Sequence, residues 1–205
     1  MYIPKHFLVE DQTTIYDFID RNSFGIIVSA ENNTPTASHL PFLLNRNEGC
    51  LYSHFARPNS QWIDIVGQEV LIIFPGPHTY ISSSWYESTL PVPTWNYVAV
   101  HVYGYIEIIE DQKEVISTLE KLVAKYERKS SSYKFDETNQ TFIEGLSKGI
   151  VAFKLSITRM EGKWKLSQNH SEERRKRVVD NLEQLQSEDA LSIAKLMKNN
   201  LNESV

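Results

Sequence analysis

Residues 74–104, which read FPGPHTYISSSWYESTLPVPTWNYVAVHVYG, limit what this chain can fold into more than any other stretch. The apolar run Val70-Leu71-Ile72-Ile73-Phe74 is strand-like, and Pro75-Gly76-Pro77 removes backbone donors and predicts a turn that ends it. From Thr94 a second strand alternates with period two. Val98, Val100, Val102, Ile106 and Ile108 share one face, while Trp95, Tyr97, Ala99, His101, Tyr103 and Tyr105 share the other. A half-solvated sheet would place Lys, Glu or Thr on that second face. Rings and a histidine there require a cover: a partner subunit, a planar ligand, or both.

A chain of 205 residues suits one domain, with room for a small helical appendage. The expected division is a domain over 1–169 and a helical extension over 170–205 packed on it. The 41% apolar and 23% charged fractions are those of an ordinary globular protein. A net charge of -5 gives no global electrostatic case for nucleic acid. Cys50 is alone, which excludes an intramolecular disulfide and a thiolate zinc cluster and points to a reducing cytoplasm. Residues 1–11 carry no apolar signal segment, and no uncharged apolar run approaches the roughly 20 residues of a membrane span. The expectation is a cytoplasmic protein with no membrane partner.

In chain order, Ile15, Phe18 and Ile19 mark a helix over 13–22, with Thr14 and Asp17 resembling a capping box. Strands follow at 24–29, 36–44 and 50–56, separated by turns at 31–33 and 45–49. A short helical turn is expected at 61–66, and the fourth and fifth strands at 70–74 and 94–109. Asp111 can cap a helix with Val115, Leu119, Leu122, Val123 and Tyr126 on one stripe. The polar stretch 127–137 predicts a loop, 139–146 a short helix and 150–158 a sixth strand. Two helices, near 171–185 and 188–201, close the chain, with Ser171 and Ser187 as N-caps. Six short strands joined mainly by tight turns argue for an antiparallel barrel with helices packed outside.

The common catalytic and nucleotide-binding signatures are absent. His39, His54, His78 and His101 have no spacing that would bring three to one metal ion, so no metal site is expected. Residues 54–62 are more suggestive, since Arg57, Asn59 and Ser60 fall at a strand end just ahead of a helical turn. Arginine together with helix N-terminal amides makes a phosphate cradle. The alternative is an Arg57 paired with a surface carboxylate while Trp62 packs in the core, and the residues leave both open. Residues 163–169, Lys-Trp-Lys-Leu-Ser-Gln-Asn, set donors beside an indole and suit an anionic, ring-bearing ligand, or else form an exposed basic strand. The run Arg174-Arg175-Lys176-Arg177 invites comparison with DNA-binding helices. With Val178, Leu182 and Leu185 as the buried stripe, Arg174 and Arg175 point back toward the protein. Only Lys176 and Arg177 are splayed outward, which offers little phosphate neutralisation and no evident recognition helix.

Several stretches together resemble the PaiB family, described as FMN-binding-type transcriptional regulators. They are Met1-Tyr2-Ile3-Pro4 with Phe7, His39-Leu40-Pro41-Phe42-Leu43-Leu44, and the stretch 54–62. To these belong Phe74-Pro75-Gly76-Pro77-His78, Ser84-Trp85-Tyr86, Val92-Pro93-Thr94-Trp95-Asn96-Tyr97 and Lys165-Leu166-Ser167-Gln168-Asn169. The resemblance spans the chain to about Asn169. It implies a mainly β, six-stranded antiparallel split β-barrel of the FMN-binding type, with peripheral helices and a C-terminal helical pair. It further implies a homodimer with flavin (FMN) at the subunit interface, and a negative regulator of degradative-enzyme (protease) synthesis and sporulation. By analogy with that fold, Arg57 and Asn59 hold the phosphate within the loop that carries His54 and Trp62. Trp95, Asn96, Lys165, Ser167, Gln168 and Asn169 then border the ring. Two other readings use the same cavity: a flavin-dependent oxidoreductase and a haem-handling enzyme. A repressor touching DNA through Lys176 and Arg177 is a third.

Overall fold

The computed structural model describes residues 1–87, 92–128, 130–133, 135 and 139–202. Among them the chain forms eight strands and six helices. In order these are β1 (Leu8–Val9), α1 (Gln12–Arg21), β2 (Phe24–Glu31), β3 (Thr34–Pro41), β4 (Leu43–Asn45), β5 (Cys50–Ala56) and α2 (Gln61–Asp64). Then come β6 (Glu69–Ile81), β7 (Thr94–Ile108), α3 (Gln112–Tyr126), α4 (Gln140–Ser147), β8 (Ile150–Lys165), α5 (Glu172–Gln184) and α6 (Glu188–Asn202). Hydrogen bonding orders the strands β3-β2-β6-β7-β8-β5-β4, with β1 paired to β8. The class is the mainly antiparallel β fold with helices that the sequence indicates, with eight strands in place of six. The additional strands are β1 and the separation of 36–44 into β3 and β4. Phe42 causes that separation: its N–H donates to the Ser23 carbonyl at 2.7 Å, and its ring is fully buried. No helix of the described residues is long and apolar enough to cross a membrane.

The chain divides into two compact units. The first comprises 1–15, 75–100 and 161–205; the second comprises 16–74 and 101–160. In the second, β2 and β3 form a hairpin whose two-residue turn, Asn32 and Asn33, lies at φ 49° and 64°. Asparagine tolerates that left-handed region, and a turn of this hand matches the strand twist. The inward positions collect Phe42, Phe55, Phe74 and Phe153, all fully buried, with ring centroids 5.0–6.3 Å apart along the chain of contacts. In the first unit, α5 and α6 pack Val178, Val179 and Leu182 together with Ile193, Ala194 and Met197, all buried.

The turn expected at 75–77 is not there. β6 runs straight through Pro75-Gly76-Pro77 to Ile81, and the glycines with positive φ are Gly49 and Gly67. The two prolines are two residues apart, so both missing N–H groups fall on one edge of the strand and the other edge keeps its donors. β2 covers β6 only at Leu71, Ile72 and Ile73, before the first proline. β8 likewise continues past residue 158 to Lys165, which places Lys163-Trp164-Lys165 on a strand. At α1 the cap is Asp11, whose carboxylate accepts from the Thr14 N–H at 2.7 Å, and the pairing of Thr14 with Asp17 is not used. Asp111 and Ser171 cap α3 and α5 as expected. The loop at 127–137 lies partly outside the described residues.

Candidate functional site

β7 alternates as its sequence demands, with Val98, Val100 and Val102 fully buried and Tyr97, His101 and Tyr103 half-buried on the opposite side. The ten candidate residues separate by unit: His54, Arg57, Asn59 and Trp62 belong to the second, and Trp95, Asn96, Lys165, Ser167, Gln168 and Asn169 to the first.

In the second unit, Arg57 follows the end of β5 and is gripped by backbone. Its Nε donates to the Lys148 carbonyl and one terminal nitrogen donates to the Ile150 carbonyl, both at 2.7 Å. The surface carboxylate weighed from the sequence is not its partner, and among the described residues its second terminal nitrogen has none. Trp62 donates its Nε1–H to the Arg57 carbonyl at 3.0 Å, and Asn59 donates to Ser38 Oγ at 2.9 Å while accepting from the Gln61 N–H. These two side chains shape the loop. His54 is half-buried on β5; its Nδ1 is occluded and has no hydrogen-bond partner, and burial pushes its pKa below 6.5. The neighbouring helix α2 has four residues and no side-chain cap.

Sequence reasoning missed what holds this loop. Gln61 is 4% exposed, receives a hydrogen bond from Ser38 Oγ at 2.6 Å, and donates to Ser29 Oγ at 2.9 Å and the Thr36 carbonyl at 3.2 Å. A lone glutamine in a polar stretch carries no signal of burial.

In the first unit, Trp95 is 54% exposed, with Tyr80 edge-on at 5.9 Å and His78 tilted against it at 6.2 Å. His78 and Tyr80 share a face of β6, a relation that the expected turn concealed. Lys165 donates to Thr94 Oγ1 and to the Trp95 carbonyl, each at 2.6 Å. Burial, and then the charge of Lys163, lower its pKa. Asn96 is fully buried and exchanges hydrogen bonds with Ser167, whose backbone sits at φ 64°. Gln168 turns back on its own loop, accepting from the Leu166 N–H and donating to the Trp164 carbonyl, both at 2.7 Å. Asn169 is exposed. Thus Trp95 and Asn169 face solvent, Lys165 is half-buried with its ammonium turned onto Thr94 and the Trp95 carbonyl, and Asn96, Ser167 and Gln168 build the loop beneath.

The basic run behaves as its helical phase indicates. Arg175 is buried and donates to Asn200 Oδ1, while Arg174 binds Glu87 at 3.0 Å and lies over the Tyr86 ring. Lys176 and Arg177 pair with Glu172 and Glu173 one turn earlier.

Residues 1–159 match the family described as "Putative FMN-binding domain". The chain belongs to this family. It is 38% identical over 209 residues to "Protease synthase and sporulation protein PAI 2" of Bacillus subtilis, with all of both chains covered. This bears out the PaiB-type resemblance. Two solved structures share the fold. The flavocytochrome Anf3 of Azotobacter vinelandii has a TM-score of 0.59 at 15% identity, covering 80% of this chain and 72% of that one. The FAD and heme binding protein of Mycobacterium smegmatis has a TM-score of 0.60 at 12% identity, covering 77% and 73%. At these identities the likeness is one of fold, and places the chain with the split-barrel class.

Proposed function

We propose that this chain binds FMN and, as a cytoplasmic homodimer, acts as a negative regulator of protease synthesis and sporulation. Family membership and the name of the Bacillus relative support the reading. The observation that carries the ligand is Arg57. Its guanidinium is fixed by two carbonyls, is paired with no carboxylate among the described residues, and lies at an exposed position just past the end of β5. A fixed, exposed cation with one terminal nitrogen still free among the described residues fits a phosphate monoester. In the first unit, the exposed face of Trp95 with the Lys165 ammonium suits a flat, electron-poor ring. FMN supplies reversible electron transfer when bound; the residues of this chain bind and orient it.

The test is titration with FMN, read by quenching of flavin fluorescence, with FAD and haem run in parallel. Saturable FMN quenching is expected. Absence of quenching at high micromolar concentration removes the reading, and a Soret band on haem addition would favour the haem-handling alternative. Direct DNA contact is the weaker reading, because the four basic residues of α5 are matched by four acidic ones and Lys176 and Arg177 are already paired. A mobility shift with a steep salt dependence would restore it.

A further inference from the structure

Lys163 and Lys165 alternate on β8 and so share one face, roughly 7 Å apart along the strand. Both belong to the first unit, and neither has a carboxylate partner among the described residues. Lys163 is 7% exposed; its ammonium donates to the Tyr2 carbonyl at 3.0 Å and faces the Tyr97 ring at 5.0 Å. Two carboxylates of the same unit, Glu161 on β8 and Glu87, are taken by the Met1 amino group and by Arg174. Other lysines are neutralised directly: Lys125 by Asp20, Lys154 by Glu48, Lys176 by Glu172 and Lys198 by Glu183.

Lys165 is the half-buried member of the pair. Its nitrogen meets two neutral oxygens, Thr94 Oγ1 and the Trp95 carbonyl, each at 2.6 Å, and the Phe7 ring lies 5.9 Å away. A neutral amine has two N–H groups and a lone pair. These two acceptors take both N–H groups, so deprotonation strands neither of them and leaves the lone pair for a carbonyl carbon. No carboxylate holds the third proton, and burial, then the charge of Lys163, lower the pKa of Lys165. Burial beside a second cation is the environment that makes a lysine nucleophilic near neutral pH. We propose that Lys165 is a carbonyl-reactive amine that takes a small aldehyde as an imine. The lone pair forms the C–N bond as the C=O π pair moves onto oxygen. Nitrogen then passes both its protons to that oxygen, which leaves as water; nothing is oxidised or reduced, and water reverses the step.

Reductive trapping on the full chain at neutral pH, with propanal and sodium cyanoborohydride followed by peptide mass mapping, tests this. The adduct should form on Lys165 roughly threefold or more faster than on the exposed Lys5, Lys121 and Lys148. Lys163→Met removes the second charge and should slow Lys165 by roughly threefold or more, whereas Lys163→Arg keeps the charge and should keep the parent rate. Trapping of Lys165 no faster than that of the exposed lysines overturns the proposal. So does an equal rate in the parent and Lys163→Met. If Lys163→Met folds poorly, the ranking of lysines within the parent decides by itself. Lys165 also borders the ring in the flavin reading, but no flavin enters this measurement, so failure of FMN to bind leaves its result standing. Saturable FMN quenching without a Lys165 adduct removes this proposal alone.

Discussion

Arg57 is held by carbonyls rather than by a carboxylate, and this keeps its charge available to a ligand. A charge-assisted hydrogen bond contributes about 1.5–3 kcal/mol, so Arg57→Ala should weaken FMN by roughly one to two decades. Riboflavin lacks the phosphate, and its affinity should barely change; equal losses for both ligands would make Arg57 a structural anchor. His54 gives the chain a pH dependence of stability. Its folded pKa lies below the 6.5 of the free side chain because burial disfavours the imidazolium. The unfolded state therefore takes up the proton first, so stability is full above pH 6.5 and falls as pH drops toward the lower folded value. His170 is shifted in the same direction, first by burial and then by Arg174, and adds to the slope. Denaturation midpoints below pH 6.5 should decline less steeply in His54→Gln than in the parent; parallel declines would clear His54 of the effect. Gly104 makes a third point at this scale. A Cβ there would stand 2.2 Å from the Ser156 carbonyl oxygen and 2.6 Å from Leu155 Cδ2. Backbone cannot yield as a side-chain tip can, so Gly104→Ala should cost at least about 1–3 kcal/mol in thermal or chemical unfolding.

Among the elements, α2 is too short to hold itself, and the buried amide of Gln61 fastens it to the β2–β3 hairpin. Gln61→Ala would remove the amide from the Thr36 carbonyl and the Ser29 hydroxyl and leave Ser38 Oγ with Asn59 alone, at a cost of about 1–3 kcal/mol by urea denaturation. An unchanged midpoint would mean that water replaces the amide without loss. The same element shows where a sequence is readable. Strand alternation in β7, the apolar stripe of α3 and the caps Asp111 and Ser171 are local, so periodicity and residue type suffice to find them. β6 was not legible, because proline signals a break unless the neighbouring edge is known to be free, and pairing is a property of another strand. The same limit governed the site. Arg57 and Trp95 announce themselves by type, whereas the burial of Asn96 and Gln61 depends on residues 71 and 23–34 positions away. Nothing nearby in sequence records them.

For the molecule as a whole, the open question is what covers the outer side of β7. In the second unit His101 and Tyr103 are half-buried there, Tyr105 is 50% exposed, and Arg159 lies 3.7 Å over the Tyr103 ring. A strand face of tyrosines and a histidine turned toward water is unusual for a monomer, and a symmetric pairing of two such faces would cover each with the other. Light scattering should therefore give twice the chain mass at micromolar concentration. Tyr105→Glu places a charge in the middle of that surface and should shift the population toward the single chain mass, because burying an unpaired carboxylate is costly. The substitution is at an exposed position, so the unfolding midpoint measured under dissociating dilution should stay close to that of the parent. A parent that scatters as a single chain would leave the tyrosines of β7 to a ligand or a different partner, and FMN titrated into that monomer would then be the next measurement.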